Sequence, residues 1–153
     1  MLECQRDAQT QRWLFQPREL TLETVGKRIA EAEANLLGGR SAQFSIVEVA
    51  TGAVCGDCTV GLAMPEIGLA NLGYMVHPAF RGRGYATRAA RLAADWAMTV
   101  PAIGRLEASA VVRNEASLRV IEKAGFTYEG VLRGFLPNPV GPRWDTGVSS
   151  RTR

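Results

Sequence analysis

The stretch LGYMVHPAFRGRGYAT, residues 72–87, decides the fold of this chain. It opens on a short apolar and aromatic run that predicts a strand. Pro78 cannot donate a hydrogen bond to a neighbouring strand, so the strand should end before it. Two glycines, Gly82 and Gly84, follow in a tight loop, and an alanine-rich helical pattern begins directly after them. The stretch therefore predicts a strand, a glycine loop and the first turn of a helix.

The loop at residues 81–87 has the features of an anion-binding site. The first amides of a helix have no partner within the helix, and the helix dipole adds partial positive charge there. Glycines let the backbone curl so that several amides point at one place. Arg81 and Arg83 add formal charge. We interpret the loop as a cradle for a phosphate or pyrophosphate; a plain strand-to-helix turn with surface arginines is the alternative, because one glycine loop is a weak signal.

The composition is that of an ordinary globular domain. The chain has 153 residues, 46% of them hydrophobic and 22% charged, which suits one domain with a sizeable core. A net charge of +3 is too small to indicate nucleic-acid binding. The sequence has no apolar run long enough for a membrane span and no signal peptide at its start. We expect a cytoplasmic protein that binds neither nucleic acid nor membrane.

Two of the three cysteines have a spacing that is found in metal-binding sites. Cys55 and Cys58 are separated by two residues, as in redox and metal motifs, and Cys4 makes the count odd. A second pair is absent and His77 is the one histidine of the sequence, so a tetrahedral site lacks ligands. We predict no metal and interpret the cysteines as structural thiols.

The rest of the chain predicts alternating helices and strands. In order they are a short helical or irregular piece at 5–16, a helix capped by Thr21, strands at 42–50, 54–63 and 70–76, a helix at about 85–98, a strand at 106–112, a helix at 115–124, and strands at 126–132 and, more weakly, 143–148. The first three strands should form an antiparallel meander, and the crossover across 72–112 should place two strands parallel. The predicted fold class is α+β (mixed α/β), a single domain over residues 1–153.

Two of these helices carry apolar faces that we expect to be buried. The positions are Val25, Ile29, Ala32 and Leu36 in the first helix, and Ala86, Ala89, Leu92, Ala93 and Trp96 in the second.

Two motifs in the right order and spacing resemble a known family. RGRGYA at 81–86 is similar to the pyrophosphate loop of the GNAT acetyltransferases. NEAS at 114–117, followed by EKAGF at 122–126 and EG at 129–130, resembles the branch that includes the ribosomal-protein N-terminal acetyltransferases, the Rim type. The likeness extends over nearly the whole chain. It implies a GNAT-like central mixed sheet of six strands flanked by helices.

The resemblance also implies a cofactor and the residues that hold it. Acetyl-CoA would be the co-substrate, and a primary amine, such as a protein N-terminal α-amine, would be the acceptor. The residues expected to contact acetyl-CoA are Arg81, Gly82, Arg83, Gly84, Tyr85, Ala86 and Thr87 at the pyrophosphate, Tyr74, Met75 and Val76 along the pantetheine, and Asn114 and Ser117 near the sulfur. An amide of Met75 or Val76 would polarise the thioester carbonyl.

The implied reaction is direct attack of the amine on acetyl-CoA in a ternary complex. Ser117 is the candidate acid for the leaving thiolate, and Glu107, acting directly or through water, is the candidate base. Simpler roles stay open, since Asn114 and Ser117 suit helix capping and Glu107 suits a salt bridge within the sheet. The attacking amine must be neutral, which is easier for an α-amine than for a lysine.

The chain departs from the family pattern at its beginning. Members of this branch usually start with a further strand, and here the sequence opens in the region of the first helix. We therefore expect the strand at 42–50 to be an exposed edge. Two outcomes are open: a partner chain covers the edge, for example in a homodimer, or the protein is less stable than its relatives.

Three other functions are alternatives to the proposed acetyl transfer. A dinucleotide-binding Rossmann protein needs its glycine loop after the first strand and several βα units afterwards, but here some seventy residues precede the loop. A non-catalytic acyl-CoA-binding remnant would bind acetyl-CoA without turnover. A small-molecule acetyltransferase, acting on an antibiotic or a polyamine, is the main alternative within the enzyme class.

Overall fold

The structure is a computed structural model of the chain, and it describes residues 7–13, 21–138 and 140–153. The helices are α1 (Ala8–Trp13), α2 (Leu22–Leu37), α3 (Tyr85–Ala97) and α4 (Glu115–Lys123). The strands are β1 (Ser41–Val47), β2 (Val54–Met64), β3 (Leu69–Val76), β4 (Arg105–Val111), β5 (Thr127–Leu136) and β6 (Trp144–Thr152). The predicted order of elements and the mixed α/β fold class are confirmed.

The strands form one mixed sheet in the order β1-β2-β3-β4-β6-β5. Strands β1 to β3 are the predicted antiparallel meander, and β3 pairs with β4 in parallel, as the crossover rule requires. The prediction of a weak last strand at 143–148 was too short. Strand β6 runs to Thr152 and lies inside the sheet, because the β5–β6 hairpin folds back so that β6 pairs with both β4 and β5.

Helices α3 and α4 cover one face of the sheet. Small residues bring α3 close to β2 and β3, and those of its residues that are buried are Ala90, Ala93, Ala94 and Ala97. Ala93 of the predicted face is buried and Ala89 packs against the core, but Leu92 is 70% exposed, so the predicted face was off by a partial turn. Leu106 of β4 and Ile121 of α4 are among the most buried side chains and join the two helices to the centre of the sheet.

Helix α2 begins as predicted but does not bury the predicted face. Thr21 caps it, since the Thr21 side chain accepts a hydrogen bond from the amide of Thr24 at 3.2 Å. Ile29 and Leu36 are 68% and 53% exposed, so the expectation of a core face was wrong. The physical reason is position: α2 packs against β1 at the edge of the sheet, and no other described element covers its outer side.

Strand β1 is an edge of the sheet, as expected. It pairs with β2 on one side, and in the described ranges no strand pairs with its other side. A homodimer across this edge stays a prediction. None of the helices in the described part of the chain is long and apolar enough to cross a membrane.

Candidate active site

The loop between β3 and α3 presents unsatisfied amides at the start of a helix. Gly82 and Gly84 have φ angles of 75° and 76°, in the left-handed region that glycine adopts without strain. The first helical hydrogen bond runs from the amide of Arg88 to the carbonyl of Gly84 at 3.1 Å. The amides of Tyr85 and the next two residues precede that bond and receive no acceptor from the helix. This geometry is compatible with the predicted anion cradle, and phosphate binding at the loop stays a prediction.

Side chains fix the loop to the turn between β1 and β2. The Tyr85 hydroxyl donates a hydrogen bond to the carboxylate of Glu48, and this bond raises the pKa of the tyrosine. The Arg83 guanidinium lies 3.7 Å from the same carboxylate and is more than half exposed. Arg83 therefore keeps a cationic side chain at the loop while Tyr85 holds the first helical turn in place.

Arg81 is engaged away from the loop amides. Its guanidinium donates to Asp7 at 2.8 Å, Gln9 at 2.9 Å and Thr10 at 2.7 Å. It also donates to the carbonyl of Val76 at 3.3 Å. The hydrogen bond and the charge from Arg81 lower the pKa of the Asp7 carboxyl. The structure thus uses the Arg81 side chain to join α1 to the end of β3, and its contact with a pyrophosphate stays a prediction.

The parallel pair β3–β4 opens beside the loop. Pairing runs from Leu69↔Arg105 to Asn71↔Glu107, and no later residue of the two described strands is paired across this gap. Strand β3 nevertheless continues to Val76. The gap between the two strands therefore widens toward the loop, beside the residues Tyr74, Met75 and Val76, whose contact with the pantetheine stays a prediction.

One of the two candidate amides for the thioester faces this gap. The amide of His77 donates to the carbonyl of Cys55 on β2 at 2.7 Å. Successive amides of a strand point to opposite sides, so the amide of Val76 points away from β2 toward the opening. Of Met75 and Val76, the geometry favours Val76 as the donor to a carbonyl held in the gap.

A hydroxyl pair lies on the helix side of the same opening. The hydroxyls of Tyr74 and Ser117 are 2.7 Å apart, and the tyrosine also lies 3.1 Å from the backbone carbonyl of Ser117. Burial raises the pKa of Tyr74 to about 12, although the hydrogen bond to Ser117 opposes the rise. The phenol is therefore neutral near pH 7.

Asn114 has the capping role that was one of its two interpretations. Its side-chain oxygen accepts a hydrogen bond from the amide of Ser117 at 3.2 Å, at the start of α4. The cap fixes the first turn of α4 and so orients Ser117 toward β3. This geometry is compatible with contact of Asn114 and Ser117 with acetyl-CoA, and that contact stays a prediction.

Glu107 is not brought together with these residues. Its carboxylate accepts from Arg105 at 2.8 Å, and Arg105 also pairs with Glu129. Glu129 accepts a hydrogen bond from Ser150, and together with Arg105 this lowers the pKa of Glu129 to about 2. Glu107 thus has the salt bridge that was its alternative interpretation, and its role as a base stays a prediction.

Another carboxylate lies closer to the opening and was missed by the sequence reasoning. Asp57 of β2 pairs directly with Met75 of β3. It lies on the sheet face opposite α3, because its neighbour Cys58 belongs to the core on the helix side. Burial raises the pKa of Asp57, and the charge of Arg28 on α2 opposes the rise. The available signal was a carboxylate within an apolar strand, next to Cys58.

The described residues contain no group of three or more potential ligands that could hold a metal ion. Cys55 and Cys58 are both buried and form no disulfide. Burial raises the pKa of the Cys58 thiol to about 11.

A small cavity of about 170 Å³ opens where β4 ends, at the same end of the sheet as the loop. Its lining comes from the end of β4 and from the β5–β6 hairpin, and includes Val111, Arg113, Asn138, Arg143 and Trp144. Trp13 of α1 lies against Trp144, with ring centroids 6.3 Å apart.

Known proteins are similar to this chain in sequence and in fold. A profile of the acetyltransferase (GNAT) domain matches residues 1–127. The chain is 33% identical over 114 residues to the probable N-acetyltransferase YjcK of Bacillus subtilis. The aligned stretch covers 74% of this chain and 63% of YjcK. The chain therefore spans less than two thirds of the length of this curated relative.

Solved structures show the same fold. The ribosomal-protein-S5-alanine acetyltransferase of Vibrio fischeri has a TM-score of 0.86 at 19% identity, covering 99% of this chain and 84% of the other. The spermidine N-acetyltransferase of Vibrio cholerae, in complex with CoA and spermine, has a TM-score of 0.75 at 17% identity, covering 92% of this chain and 80% of the other.

The matching profile covers most of the chain. The resemblance seen in the sequence is confirmed, and this chain belongs to the acetyltransferase (GNAT) domain family.

Proposed function

We propose that this chain transfers an acetyl group from acetyl-CoA to a primary amine, with a protein N-terminal α-amine as the first acceptor to test. The observation that carries the proposal is the opening between β3 and β4, with the amide loop at its end and the Tyr74–Ser117 hydroxyl pair beside it. No single part is specific to acetyl transfer, but the three together provide an anion cradle, a backbone slot and a proton donor.

The loop and β3 would hold acetyl-CoA mainly through backbone groups. The amides of Arg83, Gly84, Tyr85 and Ala86 would donate to the pyrophosphate, with the Thr87 hydroxyl nearby. The unpaired side of β3 at residues 74–76 would pair with the pantetheine amides, as a neighbouring strand would. The residues present therefore fit acetyl-CoA as a co-substrate.

The amide of Val76 would stabilise the charge that develops on the thioester oxygen. The neutral amine attacks the carbonyl carbon, a C–N bond forms, and the C–S bond breaks to release the thiolate. Ser117 would give its hydroxyl proton to the thiolate, and the proton that the nitrogen loses on forming the amide would restore the Ser117 hydroxyl. Tyr74 can hold the Ser117 oxygen from the other side, because either hydroxyl of the pair can be the donor.

The pKa of the acceptor amine favours an α-amine over a lysine amine. An α-amine has a pKa of about 8, and a lysine amine has one of about 10.4. Deprotonating the lysine near pH 7 therefore costs about 3 kcal/mol more. An α-amine thus demands less of the site's acid–base groups.

A small-molecule amine is the second candidate acceptor. The Vibrio cholerae neighbour is a spermidine N-acetyltransferase in complex with CoA and spermine, whereas the Vibrio fischeri neighbour acts on a ribosomal protein. A non-catalytic acyl-CoA-binding remnant is the third outcome.

The test is acetyl transfer to a panel of amines, followed by CoA thiol release and by the mass of the product. The panel contains N-terminal peptides, lysine-containing peptides blocked at the N-terminus, spermidine and an aminoglycoside. We expect release of one thiol per acetylated peptide α-amine. Acetylation of spermidine or the aminoglycoside alone would favour the second candidate. Binding of acetyl-CoA without any product would contradict the proposed activity.

A further inference from the structure

Among the carboxylates of the described residues, Asp57 lies beside the proposed reaction centre because of the register between β2 and β3. Asp57 pairs directly with Met75, and the Cα atoms of paired residues in adjacent antiparallel strands lie roughly 5 Å apart. The Val76 amide, which faces the opening, is the next residue along β3. The side chains of Asp57 and Met75 share one face of the sheet, because directly paired residues always do.

Helices α3 and α4 do not cover that face, although α2 packs against the edge strand β1. Helices α3 and α4 lie on the other face, where Tyr74 meets Ser117. An acceptor must reach the thioester from the side that these helices leave free. Asp57 is on that side, with Ser45 of β1 as its other cross-strand partner.

The carboxylates of this face divide into two kinds. Glu107 and Glu129 both pair with Arg105, so their charge is compensated within the sheet. In the described part of the chain Asp57 accepts no hydrogen bond within the usual limits and forms no ion pair, although the charge of Arg28 acts on it from α2. A half-buried carboxylate without a donor has its accepting positions available for a ligand.

Distance along the strands separates Asp57 from Glu107 as well. Glu107 lies opposite Asn71, which is five residues before Val76. Five residues of extended strand span roughly 16 Å. Glu107 would therefore need a chain of waters to reach an amine at the Val76 amide, whereas Asp57 lies next to that position.

We propose that Asp57 binds the ammonium group of the acceptor and takes its proton before attack. This inference rests on the proposed amine acetylation and names the group that recognises the amine. The carboxylate accepts one proton from R–NH₃⁺, and the resulting R–NH₂ attacks the thioester carbon. After attack the nitrogen loses a second proton, which restores the Ser117 hydroxyl once Ser117 has protonated the thiolate. The Asp57 carboxylic acid returns the first proton to water, so the products are the amide, the thiol and one H⁺, and charge and atoms balance.

The environment of Asp57 suits this role. Burial raises its pKa, which makes it a stronger base than an ordinary aspartate. The charge of Arg28 on α2 acts on it, and the Cys58 thiol neighbours it on β2 with a pKa raised by burial to about 11. A cationic acceptor would add a second positive charge beside Asp57 and bind better at low salt.

The experiment compares Asp57→Asn with Glu107→Gln, which removes the alternative candidate base. The control is Glu129→Gln, which removes a paired carboxylate from the same face by the same isosteric change. With the best amine of the panel, we expect Asp57→Asn to lower kcat/KM for the amine about 100-fold. The dissociation constant for acetyl-CoA should stay within about twofold, because Asp57 does not touch the loop. Raising the pH should restore part of the Asp57→Asn rate, since more of the amine is then neutral.

Each outcome decides the assignment. An active wild-type chain with an equally active Asp57→Asn variant, or a large loss in Glu107→Gln alone, would overturn the role of Asp57 and leave the proposed function standing. A wild-type chain that acetylates no amine would overturn the proposed function itself.

Folding is checked by thermal unfolding, with Asp57→Ser as a second variant. A carboxyl whose pKa is raised in the folded state costs stability above its unfolded pKa, so Asp57→Asn should melt no lower than wild type at pH 7.

Discussion

The cofactor loop and the acceptor face of this protein are built in different ways. The proposed acetyl-CoA loop is seven consecutive residues, 81–87, whose backbone amides would provide the site. The acceptor face depends on single side chains, Asp57 and Glu107, which the sheet register brings to different distances from Val76. A site made of backbone at one turn is encoded locally, whereas a site made of side chains from separate strands is encoded by the whole sheet.

The largest effect should come from a change that attacks the loop backbone. Gly84→Asp places a side chain at a φ of +76°, where its Cβ would lie 3.0 Å from the Arg88 guanidinium, and adds negative charge beside the pyrophosphate. We expect acetyl-CoA binding to weaken at least about 100-fold, as expected for losing charge-assisted hydrogen bonds. Calorimetric titration measures it.

A matched control is available in the turn between α2 and β1. Gly39 has a φ of +64° with open space around it, so Gly39→Asp imposes similar backbone strain outside the loop and outside the turn that holds Glu48. It should bind acetyl-CoA as wild type does. Equal affinity in a folded Gly84→Asp variant would show that the loop is not the cradle.

A smaller effect should follow from the hydroxyl pair, which belongs to the cofactor side but acts by side chains. Ser117→Ala removes the proposed proton donor to the thiolate, and we expect kcat to fall about 100-fold with acetyl-CoA affinity nearly unchanged. Tyr74→Phe removes the group that holds the serine oxygen, and a loss of several-fold is expected. In steady-state kinetics, an activated thioester whose leaving thiol has a lower pKa should reduce the loss of kcat in Ser117→Ala. Unchanged kinetics in both variants would return Ser117 to a purely structural role.

The smallest effect should come from the paired carboxylates of the acceptor face. Arg105 holds the pKa of Glu129 at about 2, below the ordinary value of 4.5, so this contact stabilises the folded state above that ordinary value and is lost as the pH falls to about 2. Glu129→Gln should therefore melt slightly below wild type at pH 7, and the two melting curves should converge in acid.

The same variant should keep its acetyl transfer rate, because Glu129 serves the sheet rather than the reaction. A pH-independent difference in melting temperature would contradict the ion-pair account of this network.

The sequence predicted those parts of the molecule that depend on local patterns. The order of elements, the loop at 81–87 and the cap by Asn114 all follow from spacing within a few residues. The exposed side of α2 could not be predicted in this way, because an apolar periodicity shows that a helix has a face and not that another element covers it.

Long-range register was equally beyond the sequence. The insertion of β6 between β4 and β5 depends on how a hairpin folds back, and the position of Asp57 beside Met75 depends on pairing between strands. The salt bridge of Glu107 to Arg105 was foreseen as an alternative, but its distance from Val76 required the pairing of β3 with β4.

The central claim is that the loop and the opening between β3 and β4 bind acetyl-CoA, and one calorimetric titration of the wild-type chain tests it, with NADH as the control. The account predicts acetyl-CoA binding in the micromolar range, with one site per chain and no heat from NADH. A folded chain that binds NADH, or that shows no response to acetyl-CoA, would contradict it.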